Sequence, residues 1–103
     1  MKITLANNQE ITIKRLSKCY HPEDDRYELN MIIDSSEGSL EEVVGVLTEA
    51  NTKSVTLTRE GYADVSFSDL KLNYSSEDIT DNSHEISAFF DISSKDASTI
   101  SEA

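Results

Sequence analysis

The alternation of apolar and polar residues predicts a chain built mostly of β-strands. In several segments every second residue is apolar, which is the pattern of a strand with one buried and one exposed face. The clearest segment runs from Arg26 to Asp34, where Tyr27 and Leu29 begin a regular apolar face. Six strands are predicted, at 2–5, 11–14 with a continuation, 26–34, 53–59, 62–74 and 86–92.

One segment has helical spacing instead. Its apolar residues recur at i, i+3, i+4 and i+7, so they form one stripe on a helix that must face the sheet. Ser39 and Glu42 have the spacing of a capping box, which indicates where this helix begins. We predict a helix at about 39–50 that ends with Asn51 in the left-handed conformation, and we interpret Gly45 as a point of close approach to the sheet. The stripe consists of Leu40, Val43, Val44 and Leu47.

Breaks in the alternation predict bulges and turns. The apolar phase slips after Ile13, so we expect a bulge near Arg15 that lets one long strand pair with two neighbours. A second bulge or corner is expected at 68–69, and Gly61 provides the positive φ of a hairpin turn. The residues from 75 to 83 are polar and are predicted to form an exposed loop.

Together these elements predict an α+β fold. The order is β-β-β-α-β-β-β, and it gives a bent antiparallel sheet with one covering helix at about 39–50. Residues 1–93 are predicted to form a single domain. Residues 94–103 are small, polar and aperiodic, and are predicted to be a flexible C-terminal tail.

The charge of the chain limits its partners. A formal net charge of −11 argues against direct binding to nucleic-acid backbones or to anionic membranes. The charge is uneven, because residues 1–20 carry +3 and residues 21–103 carry −14. Opposite charges at two ends of one subunit would suit a head-to-tail homo-oligomer. The bases of the first segment are Lys2, Lys14, Arg15 and Lys18.

The sequence offers little for catalysis or metal binding. Cys19 is the only cysteine, and we interpret it as a buried small apolar residue, with a thiolate–imidazole pair with His21 as the less favoured alternative. One cysteine and two histidines are too few for a recognisable zinc site, and the acidic stretches 23–25 and 77–81 lack a calcium-loop pattern. We therefore predict no catalytic residues, metal, cofactor or small-molecule substrate. No apolar run is long enough to span a bilayer and no signal peptide is visible, so we expect the protein to be cytoplasmic where it is made.

Two non-enzymatic interpretations remain. In the first, the protein is a structural or interaction component that binds another protein or itself through its edge strands, exposed aromatic residues and basic segment. In the alternative, it is an acidic nucleic-acid mimic, an inhibitor or adaptor that binds a host protein. The candidate interface residues are Tyr20, Tyr62, Phe89, Lys14, Arg15 and Lys18.

Half of the chain resembles a group of known proteins. The capped helix that begins at Ser39, the hairpin from Val55 to Phe67 and the closing strand from Glu85 to Phe90 are similar to those of small tail-region proteins encoded by phages and prophages of Gram-positive bacteria. This resemblance implies a structural or assembly role without enzymatic activity, and a location that includes the virion. The acidic stretch at 75–81 departs from the pattern and leaves a regulatory role open.

Overall fold

The computed structural model describes residues 1–68, 70–79 and 84–100, and its strands join into one antiparallel sheet. Within these residues the sheet has seven strands in the order β5-β4-β1-β2-β3-β7-β6, with two short helices beside it, which confirms the broad class predicted from the sequence. A 3-10 turn at Ser35–Glu37 precedes the first helix. The elements are β1 (Lys2–Thr4), β2 (Glu10–His21), β3 (Arg26–Asp34), α1 (Leu40–Val46), β4 (Ser54–Thr58), β5 (Val65–Ser68), β6 (Lys71–Ile79), β7 (His84–Ile92) and α2 (Ser94–Ser98).

Strand β2 connects the two halves of the sheet. Residues 10–12 pair with β1, and the rest of the strand pairs with β3 from Ile13 to His21. The register shifts between Ile13 and Arg15, so a bulge lies at Lys14, which confirms the prediction of a bulge near Arg15 and of one strand with two neighbours. Because a bulge inserts one residue, it reverses which side chains face the core. Beyond the bulge Leu16 faces the core, whereas Arg15, which unbroken alternation would place there, does not.

The core lies on one face of the sheet and is closed by both helices. Every strand except β6 contributes a fully buried apolar side chain, and Val43 and Leu47 of the α1 segment complete the cluster, each 3% exposed. Leu40 packs against the same cluster while remaining partly exposed. Three of the four stripe residues therefore face the core, as the spacing predicts, whereas Val44 does not join the cluster and Val46 packs against it instead. The strand residues of the core are Ile3, Ile11, Ile13, Leu29, Met31, Ile33, Val55, Leu57, Phe67, Ile86, Ala88, Phe90 and Ile92.

Helix α1 begins as predicted and ends early. The Ser39 hydroxyl accepts a hydrogen bond from the Glu42 amide, and the Glu42 carboxylate accepts one from the Ser39 amide, each at 3.2 Å. The helix ends at Val46 and not near residue 50, because the Asn51 side-chain amide donates to the Val46 carbonyl at 2.8 Å and satisfies that helix end without a positive φ. Gly45 is exposed, and a methyl group added to it would meet no atom within 4 Å, so its interpretation as a close approach is wrong.

The region after Gly61 differs from the prediction in strand number. Gly61 has a φ of +83°, as the hairpin requires, but the segment at 62–74 forms two strands, β5 and β6. Strand β6 continues to Ile79, through residues predicted to be a loop. These polar residues form a strand because they pair with β7, with Ser75 opposite Ala88, and β7 supplies the buried residues. The rest of the predicted loop, residues 80–83, lies outside the described residues.

A second helix occupies the first half of the predicted flexible tail. Helix α2 is capped by Ser93, whose hydroxyl accepts from the Asp96 amide at 3.1 Å. Asp96 is 5% exposed, and its carboxylate accepts a hydrogen bond from the Ser68 amide at 3.1 Å. Ala97 and Ile100 are buried in the core. The segment therefore packs on the sheet as far as residue 100, and the single covering helix of the prediction is wrong. Residues 101–103 lie outside the described residues.

Candidate protein interface

The half of the sheet formed by β2, β3, β7 and β6 has a second face that points away from the core. Directly opposed residues of an antiparallel pair lie on the same face, so the register assigns its members. Ser17, Asn30, Phe89 and Tyr74 are consecutive partners across the four strands. Ile32, Ser87 and Ser76 are partners in the neighbouring row. We call these residues the outer face: Ser17, Asn30, Ile32, Tyr74, Ser76, Ser87 and Phe89.

An aromatic pair lies on the β7–β6 side of the outer face. The rings of Tyr74 and Phe89 have centroids 5.5 Å apart at an interplanar angle of 43°. Tyr74 is 60% exposed, while Phe89 and Ile32 are partly buried. The other members are serine and asparagine, whose short side chains leave the rings accessible from solvent. Apolar rings surrounded by small polar groups are suited to contact with another protein surface.

Ion pairs border the outer face on one side. The Glu85 carboxylate lies 2.8 Å from the Arg15 guanidinium and 3.8 Å from the Lys14 amine, so both bases reach across β3 to β7. Asp34 lies in the same border, where the Ser36 amide donates to its carboxylate at 3.0 Å. Hydrogen bonds from Ser36, with a smaller contribution from the charge of Lys14, lower the pKa of Asp34 below its usual value. Lys14 and Arg15, two candidate interface residues, thus have acidic partners within the chain.

A second group of ion pairs borders the opposite side. The Arg26 guanidinium lies 2.7 Å from Asp91 and 3.2 Å from Glu28, and these two carboxylates raise the pKa of Arg26. The His21 ring lies 3.3 Å from Glu28 and 3.7 Å from Glu23. The charges on both sides of the outer face are therefore compensated largely within the subunit, and the middle of the outer face carries no charged side chain.

Lys18 lies on the core side of the sheet. It is opposite Leu29 in the register, and its amine donates to the Ala97 and Ile100 carbonyls, each at 3.0 Å. Lys2 forms an ion pair with Glu10. Each base of the first twenty residues thus has an oxygen partner in the same subunit. The charge asymmetry of the sequence is partly neutralised by folding, which weakens the electrostatic argument for a head-to-tail oligomer.

The three candidate aromatic residues lie in different places. Tyr20 stands beside Tyr27 at the end of the β2–β3 hairpin, with ring centroids 4.8 Å apart. Its hydroxyl donates to Asp25 at 2.7 Å, and this hydrogen bond raises the pKa of Tyr20. Tyr62 lies in the turn between β4 and β5, with the Arg59 guanidinium 4.3 Å from its ring centroid. Of the three, only Phe89 belongs to the outer face.

Tyr74 is absent from the predicted interface residues for a definite reason. Leu72 and Tyr74 are two residues apart, so regular alternation places both on the core side. The register shifts between them, and a bulge at Asn73 turns Tyr74 to the outer face, opposite Phe89. The sequence shows no phase slip at Asn73, and the one hint it offers is Phe89, which is out of phase with the apolar residues of the strand at 86–92.

Cys19 is exposed, so its interpretation as a buried residue is wrong. The bulge at Lys14 places it on the side of β2 that faces away from the core, opposite Glu28. His21 shares that side, but its ring lies beside carboxylates, and the one sulfur contact found within the described chain is with the Tyr20 carbonyl, at 3.8 Å. In the same described residues, no group of three or more histidine, cysteine, aspartate or glutamate side chains is arranged to hold a metal ion.

Comparisons with known proteins add no identification. No protein-family model, curated protein or solved structure matches the chain. Within the described part of the chain, neither helix has the length and apolar character needed to cross a membrane.

Proposed function

We propose that this protein is a non-enzymatic structural or protein-interaction component, and that the outer face is where a partner protein binds. The observation that carries the proposal is the Tyr74–Phe89 pair, which leaves a tyrosine 60% exposed on a regular sheet. Tyrosine is enriched in protein interfaces because its ring buries a large area and its hydroxyl retains a polar contact.

The composition of the face and its borders supports a protein partner. An uncharged centre with aromatic residues, surrounded by charged groups, has the general arrangement of a protein interface. The borders at Glu85 and Arg26 are already paired, so a partner that covers the centre need not strip water from isolated charges. The outer face is part of a larger face of four strands, each about seven residues long, whose area is on the order of 400 Å². Even this larger face is about half of the ~800 Å² that each partner buries in a standard interface, so contacts beyond the four strands are expected.

We further propose a phage-like setting, with a role in tail or virion assembly. This part of the proposal is supported by the sequence resemblance described above. The alternative, an acidic mimic of nucleic acid that inhibits or adapts a host protein, requires carboxylates concentrated on one surface. The exposed acids instead lie on separate elements, for example Asp24 in the β2–β3 turn, Glu41 on α1, Asp64 in the β4–β5 turn and Asp78 on β6. The interaction component is therefore the proposal we favour.

Site-specific photo-crosslinking tests the proposal. A photoreactive phenylalanine analogue is placed at Tyr74 in one variant and at Tyr62 in a matched control, since both tyrosines are exposed and lie on different parts of the fold. In cells that naturally express the protein, we expect one protein to crosslink at position 74 and not at 62. Its recovery by affinity purification should fall in a Tyr74→Ser variant and persist in Tyr62→Ser. Equal crosslinking at both positions, or none at 74, would refute the assignment of the outer face.

A further inference from the structure

Strand β6 is a long open edge of the sheet. It has nine residues and stands last in the strand order, and among the described residues it pairs with β7 alone. Tyr74 and Ile79 of this strand are 60% and 68% exposed. An edge strand presents backbone N–H and C=O groups along its free side, and another strand can pair with them.

We propose that β6 pairs with β6 of a second copy of the chain, antiparallel and about a two-fold axis at Ser75. The seven-stranded sheets of two subunits then continue into each other through their edges. The inference rests on the backbone edge of β6, whereas the function proposed above rests on the side chains of the outer face, so each has its own test.

The faces of β6 restrict the register of such a pair. Opposed residues in an antiparallel pair share a face, and with the bulge at Asn73 the residues of β6 that point outward are Lys71, Tyr74, Ser76 and Asp78. A one-residue shift would oppose outward to inward residues, and it is excluded by the same rule. Centring the pair on Ser75 matches all outward residues and leaves only Ile79 beyond the paired segment.

This register produces charge complementarity. Because the bulged Asn73 takes no partner, Lys71 lies opposite Asp78 of the second copy. The two-fold axis repeats this pair at the other end of the interface. Lys71 is the only base of β6, and both residues are exposed in the single subunit. The nearest alternatives shift by two residues, shorten the paired segment and separate Lys71 from Asp78. The charges of β6 thus favour the same register as its faces.

The register also extends the aromatic part of the outer face. Tyr74 lies opposite Ser76 of the second copy and diagonal to the second Tyr74, a separation that aromatic side chains span in sheets. The two Tyr74–Phe89 pairs then form one band across the two-fold axis. The bulge at Asn73 and the acids Glu77 and Asp78 are features by which edge strands avoid pairing, so a second strand must match the bulge and place a base opposite Asp78.

The net charge of −11 per chain opposes association, and the experiment is done where this repulsion is screened. At about 0.15 M salt the Debye length is about 8 Å, so contacts between opposed side chains persist while the repulsion of whole subunits is reduced. Sedimentation equilibrium of the full chain then measures the dimer dissociation constant. We expect a concentration-dependent dimer.

Charge-reversal variants test the register. Lys71→Glu places two acids against each other at both ends of the interface, and Asp78→Lys places two bases there. Each variant should therefore raise the dimer dissociation constant by about tenfold. An equimolar mixture of the two variants should restore association to about the level of the unmodified chain, because each opposed pair in the heterodimer again joins a base and an acid. The matched controls Lys53→Glu and Asp64→Lys change exposed residues of other elements by the same charge and should leave the dissociation constant within about twofold.

Three results would overturn the inference. A chain that stays monomeric to about 1 mM has no dimer of useful strength. Variants at Lys71 and Asp78 that dimerise like the controls place the interface elsewhere. Single variants that lose association without rescue in the mixture show that the two residues do not oppose each other. None of these results changes what is expected of crosslinking at Tyr74 to a different protein, so the two proposals fail separately.

Discussion

Lys18→Met tests whether one lysine holds the C-terminal helix on the sheet. The stem of Lys18 lies on the core side opposite Leu29, and its amine donates to the Ala97 and Ile100 carbonyls, both at 3.0 Å. Methionine keeps a flexible apolar chain of similar length and removes only the amine. The substitution therefore leaves the packing of the stem nearly unchanged and takes away the two hydrogen bonds at the end of α2.

The expected loss follows from the environment of the amine. Hydrogen bonds that involve a charged group contribute about 1.5–3 kcal/mol each, and a cation at a helix C-terminus adds about 0.3–1 kcal/mol. Because Lys18 is only partly buried, water can replace part of these interactions, and we expect a loss of about 2 kcal/mol in the free energy of unfolding. Single domains have total stabilities of about 5–15 kcal/mol, so this loss is readily measured.

Urea denaturation with a matched control provides the measurement. Lys95→Met removes the same charge from an exposed position of α2 itself, and it should change the free energy of unfolding by less than about 0.5 kcal/mol. Hydrogen exchange of the Ile100 amide, which donates to the Ala97 carbonyl, should accelerate in Lys18→Met only. If the two variants have equal stability and equal exchange, Lys18 does not hold α2 and the reasoning is refuted.

Three further predictions concern two glycines, the core position of Leu47 and one carboxylate. Gly45→Ala should raise the free energy of unfolding by about 0.5–1 kcal/mol because the new methyl group meets no atom, whereas Gly61→Ala should lower it by about 1–2 kcal/mol because φ there is +83°; thermal denaturation of both variants checks this. Leu47→Asp should abolish cooperative unfolding followed by circular dichroism, since it places a charge at a position 3% exposed, while Leu47→Met should cost less than about 1.5 kcal/mol. Because the pKa of Asp34 is lowered by folding, its contribution to stability is present above the unfolded-state pKa near 4 and is lost as the pH falls through the lower folded value. The stability advantage of the unmodified chain over Asp34→Asn should therefore disappear on acidification. An NMR titration that finds no lowered pKa for Asp34 would contradict this.

Alternation identified the strands that have one buried and one exposed face. The strand at 26–34 was predicted correctly because burial on one side imposes a period of two on the sequence. The hairpin turn at Gly61 was predicted correctly because glycine readily adopts the positive φ that the turn requires. The second part of β6 was missed because an edge strand needs no apolar residues of its own. Residues such as Ser75 and Glu77 are held by pairing with β7, and that pairing leaves no periodic signal.

Helix α2 could not be predicted for a related reason. It has only five residues, and the two buried apolar residues of this segment, Ala97 in the helix and Ile100 beyond it, are too few to establish a helical period. Its position depends on Asp96 and the distant Ser68 amide, and on Lys18 from β2. These contacts join residues far apart in the chain, and no local pattern reveals them.

The two bulges determine the candidate site and account for the residues that simple alternation misplaces. A single inserted residue exchanges the two faces of all that follows in a strand. The bulge at Lys14 explains why Cys19 is exposed and why Lys18 points towards the core. The sequence reveals this bulge because the apolar phase visibly slips after Ile13. The bulge at Asn73 is hidden, because tyrosine is acceptable on either face and Tyr74 falls in phase with Leu72. The inserted Asn73 therefore places Tyr74 on the outer face without leaving a sign in the periodicity of the sequence.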